Sequence, residues 1–147
     1  MAKWKVKEKK KKKGKRQSLE HENQVFLFQW AKLNERKYPE LALLFAIPNG
    51  GARHIVVAQK LKREGVKSGV PDICLPVSCG KYHALYVELK RPAATLKNGE
   101  PSKAKKTTSE QDGWHARLRA VGNRVECCYG WQAAVNVIKK YLLGTDW

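Results

Sequence analysis

Three residues carry side chains suited to phosphate chemistry at a spacing that brings them together: Asp72, which follows Pro71, and Glu88 and Lys90, which end an apolar run. In a strand, side chains alternate faces, so Glu88 and Lys90 share one face while Val87 and Leu89 take the other. Ile73 to Val77 and Tyr82 to Lys90 read as two strands, and the Gly-bearing loop Ser78-Cys79-Gly80-Lys81 between them predicts an antiparallel hairpin. Opposed residue numbers then sum to about 159 or 160, which sets Asp72 across from Val87 or Glu88. Two carboxylates and an ammonium converge. Hydrolysis of a phosphodiester needs such a set: hard oxygens hold Mg²⁺, the metal lowers the pKa of water, and positive charge stabilises the attacked phosphate. Asp72 and Glu88 are the expected metal ligands, with the Leu89 carbonyl as a further oxygen. Lys90 is expected to orient the water or stabilise the phosphate. A Glu-x-Lys triplet alone recurs by chance in strands, and its plain alternative is a cross-strand ion pair beside a turn Asp.

Other elements must hold these residues in place. A helix is expected from Ser18, which can cap it, with Glu20 and Glu22 in the first turn; Val25-Phe26-Leu27-Phe28, Trp30, Ala31 and Leu33 make it apolar nearly all round, hence buried. Leu43 to Ile47 reads as a strand ended by Pro48-Asn49-Gly50-Gly51, and Arg53 to Arg63 as a helix stopped at Gly65. Pro92 to Lys106 is polar and long for a loop, and so is expected to be mobile or completed by a partner. A helix from Thr108 to Val121, a strand from Arg124 to Tyr129 and a helix from Trp131 to Leu143 follow. The order αβαββαβα predicts an α/β domain with a mixed sheet of about four strands flanked by helices.

The charge points to a polyanion. Lys and Arg number 30 against 13 Asp and Glu, a net +17 over 147 residues. Each phosphate neutralised by such a surface releases counterions and favours association, so nucleic acid is the expected partner. Residues 1–17 hold ten Lys/Arg against Glu8 alone and carry +9 of that total, which predicts a disordered basic tail ahead of a domain spanning 18–147. Lys9, Lys11, Lys13 and Arg16 are its candidate phosphate contacts. No apolar run reaches the ~18 residues of a spanning helix or follows the N-terminal lysines as a secretory signal would, so no membrane association and a cytoplasmic location are expected. Cys74, Cys79, Cys127 and Cys128 form no Cys-x-x-Cys pair, and His54, His83 and His115 fit no ligand spacing and read as surface or packing residues.

Several motifs in order extend the Asp72–Glu88–Lys90 pattern: Ile47-Pro48-Asn49-Gly50-Gly51-Ala52-Arg53, Leu61-Lys62, Gly65 to Asp72 (GVKSGVPD), Tyr86 to Lys90, and Ser109-Glu110-Gln111. From about Ser18 to Leu143, tail excluded, the chain resembles the VRR-NUC (virus-type replication-repair nuclease) branch of the PD-(D/E)xK superfamily, found in phages, bacteria and eukaryotic repair proteins. The resemblance implies a metal-dependent endodeoxyribonuclease using Mg²⁺, with Mn²⁺ as substitute, in the bacterial host cytosol if phage-encoded. It implies metal-centred roles for Asp72 and Glu88, the catalytic lysine at Lys90, and an acid on the first helix, for which Glu20 fits best and Glu22 stays open. Gln111 matches the glutamine after the active-site strands; its rival role is to complete a capping box with Thr108. Asn49, Gly51 and Arg53, with Lys67, are candidate DNA contacts, since glycine allows a phosphate close to backbone N–H groups. Small phage-type members look like homodimers that cut four-way (Holliday) junctions, and Trp4, Trp131 and Trp147 are candidate interface anchors. The alternatives are a non-catalytic DNA-binding module and a monomeric flap or nicking nuclease.

Overall fold

The computed structural model describes residues 14–48 and 54–145. Helix α1 (Gly14–Asn34) starts ahead of Ser18, so residues 14–17, grouped above with the tail, are helical and Glu20 lies past the first turn. The helix dipole therefore gives no structural reason for an acid at Glu20. This helix is not buried all round: Leu27 and Ala31, four apart on one face, are its core residues, while Phe26 and Leu33 are exposed. It lies on α4, β3 and the 3-10 turn that follows it, and no other described element packs against it.

The strand expected from Leu43 is shorter. Pro39 opens a 3-10 turn (Pro39–Leu43) that buries Leu41, and Leu44 N–H still donates to the Leu41 carbonyl at 3.1 Å, so only β1 (Phe45–Ala46) is extended. Helix α2 (Ile55–Arg63) follows, with no fully buried residue and no packing against another described element. Strand β2 (Ile73–Leu75) stops where Val77 N–H turns back to the Leu75 carbonyl at 2.9 Å. Cys79 and Tyr82 bridge the hairpin across Gly80, whose φ of 56° suits glycine, and β3 (Leu85–Lys90) begins later than expected. Helix α3 (Ser109–Ala120), β4 (Arg124–Tyr129) and α4 (Trp131–Leu143) complete the chain.

The sheet order is β1-β2-β3-β4, antiparallel except for β3 and β4, which run parallel through the α3 crossover. This is the α/β architecture with a four-stranded mixed sheet that the pattern predicts. The observed pair Ile73↔Val87, carried one residue further, sets Asp72 opposite Glu88. On one sheet face Ile73, Leu75, Leu85, Val87 and Leu89 pack with Leu27 and Ala31 of α1 and Ala134, Val135, Ile138 and Tyr141 of α4. Helix α3 packs on β4 and, through Gln111, reaches Glu88 and Lys90 on β3.

The segment after β3 is neither structureless nor dependent on a partner for its own hydrogen bonds. Ser102 N–H donates to the Ala94 carbonyl at 2.7 Å, Ala94 N–H to Ser102 Oγ at 2.8 Å and Leu96 N–H to the Glu100 carbonyl at 2.7 Å, closing residues 94–102 into a small arm. All four cysteines are free thiols. Among the described residues no helix is long and apolar enough to cross a membrane.

Candidate active site

Asp72 sits just ahead of β2, after buried Pro71, and Ile47 N–H donates to its carbonyl at 2.7 Å. The turn before it needs a glycine: Gly69 has φ +83°, and a Cβ there would meet Glu110 Cγ at 2.8 Å and Trp114 Cδ1 at 3.0 Å. The GVPD run is thus clamped between its strand and α3.

The carboxylate of Asp72 accepts from Leu89 N–H at 2.8 Å, so the strand that carries Glu88 and Lys90 also holds the first acid. Glu88 and Lys90 are only 2% and 4% exposed, and Lys90 Nζ lies 2.8 Å from Glu88 Oε1. Gln111 joins both: its Nε2 donates to Glu88 Oε1 at 2.7 Å and its Oε1 accepts from Lys90 Nζ at 3.0 Å. Its Oε1 also accepts from Thr108 N–H at 3.0 Å while Gln111 N–H donates to Thr108 Oγ1, the complete capping box. The capping box is therefore present, and the same side chain that caps α3 also bonds Glu88 and Lys90 through its amide.

The second oxygen of Glu88, Oε2, has no hydrogen-bond partner among the described residues and faces His115 Nε2, equally unbonded, at 3.9 Å. Burial, and next the Glu88 charge, raise the Asp72 pKa to about 6 against the pull of the Leu89 amide and Lys90. Burial also raises that of Glu88, opposed chiefly by Lys90. His115 goes the other way: burial, then Arg119, hold it below its usual range and favour the neutral imidazole.

Glu20 on α1 joins the cluster through its charge, which acts on both Asp72 and Glu88, and Lys105 Nζ pairs with it at 3.2 Å. Lys67 is exposed beside Trp114, its Nζ 6.0 Å from the ring, with Arg117 at 4.8 Å, and Trp114 lies one turn beyond Gln111 on α3. Lys9, Lys11, Lys13, Asn49, Gly51 and Arg53 lie outside the described residues, and Arg16 belongs to α1 without a described side chain. Leu89 meets Asp72 through its amide, and its expected carbonyl contact stays an expectation. Sequence reasoning missed His115 and Lys105. The first was findable: Gln111 and His115 are four apart on one helical face. The second lies in a lysine-rich segment where no spacing rule singles out one residue.

The residues suit a hard cation. The acids Asp72, Glu88 and Glu20 offer oxygen only, Glu88 Oε2 is unbonded, and the two raised carboxylates repel each other. Yet among the described residues no three His, Cys, Asp or Glu side chains stand close enough to ligate one ion as they are. Lys90 and Lys105 hold part of the oxygen set.

An α/β sheet that presents two acids and a lysine from paired strands, with a helix glutamine across them, defines a nuclease of the PD-(D/E)xK type. The model of the VRR-NUC domain matches residues 6–132, most of the chain, and the chain belongs to that family. The match enters the basic tail, which the motifs had excluded, and stops short of Leu143. A solved structure described as a VRR_NUC domain protein is 25% identical, with a TM-score of 0.64 over 84% of this chain and 87% of that one. No curated protein matches the chain.

Proposed function

We propose that this chain is a divalent-metal-dependent, structure-selective DNA endonuclease that hydrolyses phosphodiester bonds in branched DNA such as four-way junctions, acting as a homodimer. One observation carries it: Asp72 and Glu88, facing carboxylates with raised pKa values, share the site with a buried lysine held at two points by Glu88 and Gln111. A DNA-binding surface gains nothing from burying two acids where phosphates must approach.

Asp72, Glu88 and Glu20, with the Leu89 carbonyl, would hold Mg²⁺ or Mn²⁺. When bound, the ion supplies a Lewis acid to the scissile phosphate and makes water a better nucleophile there. Lys90 is held by its two partners so that its charge stabilises the extra negative charge of the attacked phosphate. Gln111 keeps Glu88 and Lys90 in register with each other, and His115 walls off water behind Glu88. Lys67 and Arg117 beside Trp114 extend a cationic path from the site along α3, suited to the backbone of the same strand. Residues 1–13 add charge that is indifferent to sequence.

The dimer draws support from apolar surface that no described residue covers: Ile55, Val56 and Val57 on α2, and Leu43 and Phe45 at and just before the edge strand, are all exposed. Two identical sites at a fixed separation suit two symmetric cuts. Trp131 is half buried beside the exposed Phe26, at 6.1 Å between ring centres; Trp4 and Trp147 lie outside the described residues.

Cleavage of a four-way junction beside matched linear duplex, with Mg²⁺, Mn²⁺ or EDTA, tests the proposal together with sedimentation at micromolar protein. Paired incisions in the junction by a dimer, stopped by EDTA and restored by either ion, are expected. A monomer that cuts both DNAs equally removes the junction and the dimer. Binding without cleavage under every condition leaves a DNA-binding module.

A further inference from the structure

Lys90 is buried and bonded on two sides, whereas a second lysine reaches the same acid cluster from the segment that follows β3. Lys105 Nζ lies 3.2 Å from Glu20 Oε1, with side-chain exposures of 57% and 37%, and its charge also acts on Glu88. Its backbone is tied down: Tyr129 Oη donates to the Lys105 carbonyl at 3.3 Å, and Tyr129 is the residue of β4 that pairs with Lys90. The arm behind it is closed by its own hydrogen bonds. Lys105 is thus presented beside the acid cluster with its backbone bonded to β4 and its ammonium half exposed to solvent.

From this we propose that Lys105 is a second phosphate-binding cation of the active site, held on Glu20 until substrate arrives. The inference rests on the metal-dependent nuclease proposed above. The charges balance in that exchange. Three acids, Glu20, Asp72 and Glu88, stand against two ammonium groups. A divalent cation held by these acids would take the Glu20 oxygen that Lys105 now covers, and the incoming phosphodiester would bring the negative charge that replaces Glu20 as the partner of Lys105. An exposed ion pair is weak enough to be exchanged. Lys90 has no such freedom, since removing it from Glu88 strands a buried charge.

Two readouts move in opposite directions. In Lys105→Ala, calorimetric titration with Ca²⁺ in the absence of DNA should show tighter binding, by about two- to fivefold, the equivalent of one exposed ion pair. Cleavage by the same variant should fall about tenfold or more, the cost of a lost phosphate-facing donor. Lys105→Arg, which keeps the charge, should recover most of the cleavage, and Glu20→Gln in the Lys105→Ala background should abolish the gain in Ca²⁺ affinity. A merely structural contact would weaken ion binding and cleavage together, and that result overturns the proposal, as does unchanged behaviour of Lys105→Ala in both assays. The parent reading fails differently: the unmutated protein would then bind no divalent ion and cut no DNA.

Discussion

Strand β3 presents two faces that are equally sealed from water and physically opposite. Leu85, Val87 and Leu89 are 0%, 1% and 7% exposed on one side, and Glu88 and Lys90 are 2% and 4% exposed on the other. The first face gains free energy for each area of apolar surface removed from water. The second places charges where solvation is poor, and even a well-made buried ion pair there returns little net stability. Raised carboxylate pKa values and an unbonded Glu88 oxygen are the signs of that cost. The lesson is a division of labour across the backbone of one strand: the face toward α1 and α4 stabilises the fold that holds the other face in a state it would not choose alone.

The largest expected effect falls on the charged face and leaves the fold intact. Asp72→Asn should lower cleavage about 10³-fold or more, roughly 4 kcal/mol of barrier, while circular dichroism stays unchanged because the amide oxygen can still accept from Leu89. Removing a carboxylate whose pKa is raised to about 6 should also make the metal-free variant more stable than the unmutated protein. The sign follows from linkage: the unmutated fold loses relative stability as pH rises from the ordinary aspartate range through about 6, so the gap should be wide at pH 8 and shrink toward pH 4. Thermal melts in EDTA at those pH values would check this, and a less stable variant at pH 8 would contradict it.

The apolar face should answer in the reverse sense. Leu27→Ala, at a fully buried position under β3, should cost about 2–5 kcal/mol of stability by urea melt and leave cleavage per folded molecule nearly unchanged. Lys90→Ala breaks the division, since the residue is buried and is the proposed phosphate-stabilising cation. It should lose cleavage and roughly 1–3 kcal/mol of stability, because Glu88 is left without its ion pair. The stability loss should grow from pH 5 to pH 8, as the unpaired carboxylate must ionise. The smallest effect separates the two jobs of Gln111. Thr108→Ala should cost about 1 kcal/mol through the lost cap with cleavage retained, whereas Gln111→Glu should keep the cap and lose cleavage, having no N–H to give Glu88.

Much of this was legible in the residues because it is local or periodic. The two-residue alternation of Val87-Glu88-Leu89-Lys90 and the hairpin loop between two apolar runs set Asp72 opposite Val87 or Glu88, and the observed pair Ile73↔Val87 selects Glu88. The element order followed from the same local patterns, and the nuclease family from the resemblance that the ordered motifs carry. What failed was environment. Helix α1 looked buried all round, yet only one side meets the sheet, and α2 carries apolar residues that no described element covers. Local pattern tells which residues are apolar, not how many layers the chain has to cover them. His115 read as a packing residue and Lys105 as one lysine among many until folding set them against Glu88 and Glu20, which lie 27 and 85 positions away. The sequence by itself determined which groups can ligate, protonate or bind a phosphate, since that is a property of side-chain chemistry and strand period. Only the tertiary structure decided which of them are desolvated and paired, because burial and Coulomb energy depend on distances through space that no spacing along the chain encodes.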